Sequence, residues 1–285
     1  VSQSPGPTVR KKQLGQELRR LRREADISVE QVAEVLDCAP SRVRHIESGR
    51  NSPRKPDLTV LMDLYRAPAE VREVLEETRK AGAQRGWWAT YRLPSWLASY
   101  VGMETDAREV RTVELELIPA LLQTRAYVRR THEVATHMAS PEDVDRLVDA
   151  RLRRQQRLSA PNPLTFSAII SESALARTLG EPDIAAEQIR HLLTSAESPN
   201  VAVRVLPHSA GLHTSMSGSF TVLSFDEGIS VPVAYQEYAV GGHLVDDADA
   251  VSRLSDVWTL LWERAHAEDE TRRLLHRVLD QAEGR

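Results

Sequence analysis

Between residues 40 and 50 the chain reads PSRVRHIESGR, and four of its side chains are hydrogen-bonding groups at helical spacing. Arg42 and His45 lie three apart and share a face, with Ser41 at one edge and Arg44 beside them, while Val43 and Ile46 turn the other way. An arginine in such a row can meet O6 and N7 of a guanine with two bonds, worth roughly 1–3 kcal/mol of discrimination against another base. The chemistry offered is therefore recognition of base edges. It requires a short helix held with this face outward.

The flanking sequence supplies the elements for that. RKKQLGQELRRLRREA, residues 10–25, repeats Leu14, Leu18, Leu21 and Ala25 at the 3, 4 spacing of an amphipathic helix, which Asp26 and Ile27 end. SVEQ opens a second helix with a capping box, the Ser28 hydroxyl accepting from the Gln31 N–H while the Gln31 side chain reaches back. Asp37 and Cys38 turn the chain, Pro40 suits the first turn of a third helix, and Gly49 stops it. DLTVLMDLY and PAEVREVLEETRKAG predict a fourth and a fifth helix. Two helices joined by a tight turn, with a third behind, form the helix-turn-helix pattern, in which the second helix enters the major groove.

The frame ELRRLRREADISVEQVAEVLDCAPSRVRHIESGRNSP resembles the Xre family of phage-repressor-like regulators, with the likeness running from residue 10 to about 80. The resemblance implies base-reading positions at Pro40, Ser41, Arg42, Arg44 and His45, and phosphate contacts at Ser28, Arg50, Asn51 and Arg54. It also implies a charge pair, Arg22 with Glu47, tying the first helix to the recognition helix. The chain departs from the family pattern at three places. Asp37 replaces a common glycine, Ala39 replaces a frequent capping hydroxyl, and Pro40 replaces a frequent polar base-reader.

Charge is divided in the same sense. Residues 1–85 carry 17 Lys and Arg against 13 Asp and Glu, and the remainder carries 20 against 28. A basic end on an acidic chain gives a polyanion a local footprint. The single cysteine, Cys38, makes neither an internal disulfide nor a zinc cage and fits a reducing cytoplasm. No apolar run reaches the length of a membrane span.

Beyond residue 85 the pattern changes. RGWWATYRLPSWLASY begins a second region, REVRTVELELI alternates as a strand, and SPEDVDRLVDARLRRQQRL is a long helix with acids early and arginines late. LTFSAII, VAVRVLP, SFTVLSF and VPVAYQEY are β-rich, with a helical stretch between the first two and two helices at the end. Arg151, Arg153, Arg154 and Arg157 are expected on a solvated face paired with Asp145 and Asp149. Trp258, Leu261, Leu275 and Leu279 lie on apolar stripes that suit dimerisation. IPALLQTRAYVRR, ISESALARTLG and QIRHLLTSAESPNVAVRVLPHSAGLH resemble the large C-terminal domain of actinobacterial antitoxin-like regulators of the toxin–antitoxin type, over about residues 86–282, with PALLQT where PGLLQT is usual.

The expected organisation is a flexible arm over 1–9, a five-helix phage-repressor-like helix-turn-helix domain over 10–82, and a mixed α/β domain over 86–285. In the last, 86–158 is mostly helical, 163–240 carries a small sheet flanked by helices, and 248–282 forms C-terminal helices. The expected function is that of a cytoplasmic, sequence-specific regulator, a homodimer on double-stranded operator DNA. Its C-terminal domain would take a small-molecule effector or a small partner protein encoded nearby. The alternative is an antitoxin-like protein that mainly sequesters such a partner. Gln123, Glu172, His208, His213, Tyr235 and Glu237 are the candidate effector residues, near strand ends. An enzymatic reading is weaker. His132 and His137 of HEVATH lie five apart, about 140° around a helix, where a zinc-binding pair needs four. No cofactor, metal or catalytic residue is implied.

Overall fold

The computed structural model describes residues 5–135, 140–227 and 229–284. They divide into two compact units. One comprises the chain to Thr90 with Val101–Asp106 and Asp226–Ser230, and the other comprises Tyr91–Tyr100, Ala107–Phe225 and the chain from Val231 onward.

The first unit begins with α1 (Pro7–Glu24), α2 (Val29–Val35), α3 (Pro40–Glu47), α4 (Lys55–Leu64) and α5 (Ala69–Gly82). It is larger than the expected domain over 10–82, because Val101–Asp106 and Asp226–Ser230 also belong to it. The expected arm is shorter than 1–9: α1 starts at Pro7, the Gly6 N–H donates to Asp106 Oδ2 at 2.7 Å, and Val9 is fully buried. Residues 1–4 of that arm lie outside the described residues.

Three of the helices stop by the same device. Asp26, Asp37 and Arg66 take left-handed φ of 54°, 47° and 53° after α1, α2 and α4. In each case the next residue donates to the carbonyl five back: Ile27 to Arg22, Cys38 to Ala33 and Ala67 to Met62, at 3.1, 2.9 and 2.9 Å. This is the Schellman arrangement, which places an apolar residue back against the helix. Ile27, Cys38 and Ala67 accordingly pack on the core of Leu14, Leu18, Leu21, Val43, Ile46 and Leu61. Asp37 thus serves where a glycine is usual.

Backbone contacts require glycine at Gly15 and Gly49. A Cβ on Gly15 would stand 2.4 Å from the Ile46 carbonyl oxygen, so α1 and the end of α3 touch backbone to backbone. Gly49 has φ of 73° and leaves no room for a Cβ beside Lys12.

The second unit is built on a six-stranded mixed sheet in the order β3-β2-β1-β4-β5-β6. The strands are β1 (Glu109–Glu114), β2 (Thr165–Ser171), β3 (Val201–Leu206), β4 (Phe220–Ser224), β5 (Val233–Tyr238) and β6 (Gly241–Val245). β1, β2 and β3 are parallel, and β1, β4, β5 and β6 form successive antiparallel pairs. α6 (Ser95–Asp106), α7 (Arg125–Ala135) and α8 (Pro141–Gln155) account for the helical first part. α9 (Glu172–Leu179) and α10 (Pro182–Ser195) connect β2 to β3, and α11 (Ala248–Arg264) and α12 (Glu268–Glu283) close the chain.

The apolar stripes of the last two helices are not a free dimerisation face. Trp258 and Leu261 pack with Val113, Ile169, Phe220 and Val222 of the sheet, and Leu275 is 1 % exposed. A sheet face needs a cover, and α11 is that cover. The arginine helix is also corrected. Asp149 and Asp145 pair with Arg125 and Arg129 of α7, while Arg154 is buried and Arg151 donates to Gln123. No helix among the described residues is long and apolar enough to cross a membrane.

Candidate nucleic-acid interface

α3 owes its setting to a buried ion pair. Arg22, near the end of α1, gives Nε to Glu47 Oε1 at 2.5 Å and Nη2 to Oε2 at 3.0 Å, and its Nη1 donates to the Ile27 carbonyl at 2.8 Å. The two side chains are 11 % and 8 % exposed. The Glu47 carboxylate holds the Arg22 guanidinium further into its charged form than is usual, against the opposing effect of burial. A two-bond pair of planar groups fixes rotation as well as distance. With Val43 and Ile46 pressed into the core, α3 has one orientation available.

That orientation leaves Ser41 and Arg44 exposed and Arg42 and His45 partly exposed, with Pro40 in the first turn. Ala39 precedes the helix without a side-chain cap, as its methyl dictates. Ser28 and Gln31 form the reciprocal capping box at the start of α2, with bonds of 3.1 and 2.8 Å. Ser28, Arg50, Asn51 and Arg54 are all exposed.

Sequence reasoning missed the partners of the outward cations. Arg42 Nη2 donates to Asp57 Oδ2 of α4 at 2.5 Å, and the same oxygen accepts the Arg54 N–H at 3.4 Å. Arg44 Nη2 donates to Glu30 of α2 at 3.0 Å, and Arg50 Nη1 meets His45 Nε2 at 3.2 Å. Asp57 engages one nitrogen of Arg42. Glu30 and Arg44 are both more than half exposed, so their pairing is weak and easily exchanged.

The six candidate effector residues do not form one site. Gln123, Tyr235 and Glu237 line a cavity of about 380 Å³ in the second unit, together with Tyr100, Glu114, Arg151 and Arg154. Glu172 and His208 form a separate pair at the ends of β2 and β3. His208 Nδ1 lies 3.3 Å from Glu172 Oε2, its N–H donates to the same oxygen at 2.8 Å, and its Nε2 meets the Ser173 hydroxyl at 3.0 Å. His213 stands apart from both, its pKa lowered by burial and by the charge of Arg264. His132 lies on α7, where burial pushes its pKa down to about 4, and His137 lies outside the described residues.

In the cavity, Tyr100 and Tyr235 stack with ring centroids 4.1 Å apart, and Arg154 lies over the Tyr100 ring at 5.2 Å. The Tyr235 hydroxyl donates to Glu237 Oε2 at 3.0 Å. Gln123 donates to the Ile118 carbonyl at 2.7 Å and accepts from Arg151 at 2.7 Å. Glu114, at the end of β1, had no signal in the sequence beyond its place after an apolar strand.

Comparison with known families agrees with the division into two parts. A helix-turn-helix domain family matches residues 13–75. A family described as a domain of unknown function, DUF5753, matches residues 97–277, more than half of the chain. Neither a curated protein nor a solved structure matches it.

Proposed function

We propose that this chain, which belongs to the DUF5753 family, is a sequence-specific DNA-binding transcriptional regulator of Xre type whose second unit binds a small effector or partner. The observation that carries the reading is α3 itself: its inward face is locked by Arg22 and Glu47, and its outward face after Pro40 is a row of hydrogen-bonding side chains, Ser41, Arg42, Arg44 and His45. On DNA, Ser41, Arg42, Arg44 and His45 meet base edges while Ser28, Arg50, Asn51 and Arg54 meet phosphates. Pro40 offers only packing, suited to a thymine methyl. A single module of this size makes few phosphate contacts, so the regulator acts as a homodimer on half-sites about one helical turn apart.

Gel shifts on the DNA upstream of the gene test this. Arg42→Ala is expected to lower operator affinity by about 1–3 kcal/mol and to relax base preference at one position. Arg50→Ala is expected to weaken all sequences alike and to reduce the salt slope by about one. A binding-selection profile unchanged by Arg42→Ala would contradict the assignment.

Glu30→Gln gives a result of opposite sign. It removes a negative charge beside Arg44 and releases that side chain, so affinity for operator and random DNA should rise together by a few-fold, consistent with an exposed pair worth about 0–1 kcal/mol. A fall in affinity would mean that Glu30 positions Arg44 productively.

A further inference from the structure

The cavity in the second unit opens where β1 and β5 end, with the start of antiparallel β4 between them. Its volume of about 380 Å³ lies within the range of small-molecule sites. Leu117 and Tyr238 stand at the mouth, 47 % and 57 % exposed, where two such side chains would ordinarily be covered. The walls therefore suit a ligand with an apolar or aromatic body.

The polar groups decide its charge. Three carboxylates and two arginines line the space. Glu116 is paired with Arg177. Arg154 is 4 % exposed and stacked on Tyr100, and Arg151 gives Nη1 to Gln123, which is itself anchored on the Ile118 carbonyl. Glu114 and Glu237 have no ion-pair partner within 4 Å among the described residues; Glu114 interacts with the hydroxyls of Ser219 and Thr112 and feels the charge of Arg151 at longer range, and Glu237 accepts from the Tyr235 hydroxyl. Glu114, partly buried, and Glu237, exposed at the rim, are thus two carboxylates that a cation can reach, while the guanidinium groups are held back on Gln123 and Tyr100.

We propose that this cavity binds a small amphiphilic organic cation, an amine on an aromatic or apolar body, with its cationic head at Glu114 and Glu237 and its body against Leu117, Phe220 and Tyr238. The proposal rests on the reading of the second unit as effector-binding and names the class of effector. Charge-assisted bonds to the two carboxylates supply orientation. Burial, reinforced by the charge of Glu237 and opposed by Ser219, Arg151 and Thr112, pushes Glu114 up to about 7, so cation binding near neutral pH should release a proton.

The test is calorimetry on the full-length protein with tyramine and tryptamine, with their neutral alcohol analogues and with the corresponding arylacetic acids. The amines should bind at least about tenfold more tightly than the alcohols, and the acids not measurably. Glu114→Gln and Glu237→Gln should each remove that tenfold margin by weakening the amines to the level of the alcohols, and alcohol binding that persists shows that the pocket is intact. Acids binding best, amines indifferent to both substitutions, or no amine binding in the millimolar range would each overturn the proposal. Operator affinity measured with and without tyramine separates the two readings. Amine binding that leaves operator affinity unchanged keeps the cation site and removes its regulatory role. Failure of the whole protein to bind operator overturns the regulator reading and leaves the cation site standing.

Discussion

Glu47→Ala is expected to destabilise the helix-turn-helix unit by about 3–5 kcal/mol, the loss found when one partner of a buried pair is removed. The remaining Arg22 guanidinium, 11 % exposed, would keep only the Ile27 carbonyl at 2.8 Å. A domain has roughly 5–15 kcal/mol of stability in all, so operator binding should fall through loss of the folded form rather than of a contact. The double substitution Arg22→Met with Glu47→Leu removes both charges at similar volume and should recover most of the loss. Urea unfolding followed by far-ultraviolet circular dichroism measures both. A wild-type midpoint for Glu47→Ala would mean that the apolar seam of Val43 and Ile46 alone orients α3. Recovery of stability without recovery of operator affinity would show that the pair sets the angle of the recognition helix as well as its anchorage.

The helix-turn-helix segment is legible in the sequence because its boundaries from Ser28 to Gly49 carry local chemistry. Ser28 with Gln31, Pro40, Asp37 and Gly49 each act within a few residues of themselves. The grip of Asp57 on Arg42 and of Glu30 on Arg44 is not legible, since each joins two helices and depends on their crossing. In the second unit, β2, β3, β4 and β5 announce themselves as apolar runs, of which β2, β4 and β5 have neighbours on both sides. β6 does not. It opens on Gly241 and Gly242, borders the sheet, and follows a two-residue turn, Ala239–Val240, that lacks the usual Asn-Gly signal. Reading Trp258, Leu261 and Leu275 as an intermolecular face failed because an apolar stripe does not say what covers it. The cavity escaped for a related reason: Tyr100, Glu114, Arg151 and Tyr235 come from four elements that only the sheet order brings together.

Glu114→Gln is expected to stabilise the protein at alkaline pH while it removes the preference for amines. In the unfolded chain this carboxyl titrates near its ordinary 4.5; in the folded protein burial, with Glu237 adding to it, holds it near 7. Between those values the native state keeps a proton that the unfolded state has released. Stability therefore falls as pH rises through that window, by on the order of 3 kcal/mol once Glu114 is ionised. Glutamine keeps the hydrogen-bonding shape without the charge. The variant should unfold at nearly the same urea concentration as the wild type at about pH 5 and at a clearly higher one at about pH 8. A bound amine supplies the missing counter-charge, so tyramine should raise the wild-type midpoint at about pH 8 by more than it raises that of the variant. A difference between the two proteins that stays constant with pH would show that Glu114 is not the group that titrates. The predicted pattern would explain a carboxylate sunk in a wall of the second unit, where it weakens the empty protein: its charge is complemented when the cavity is filled, and the stability regained is part of the binding free energy.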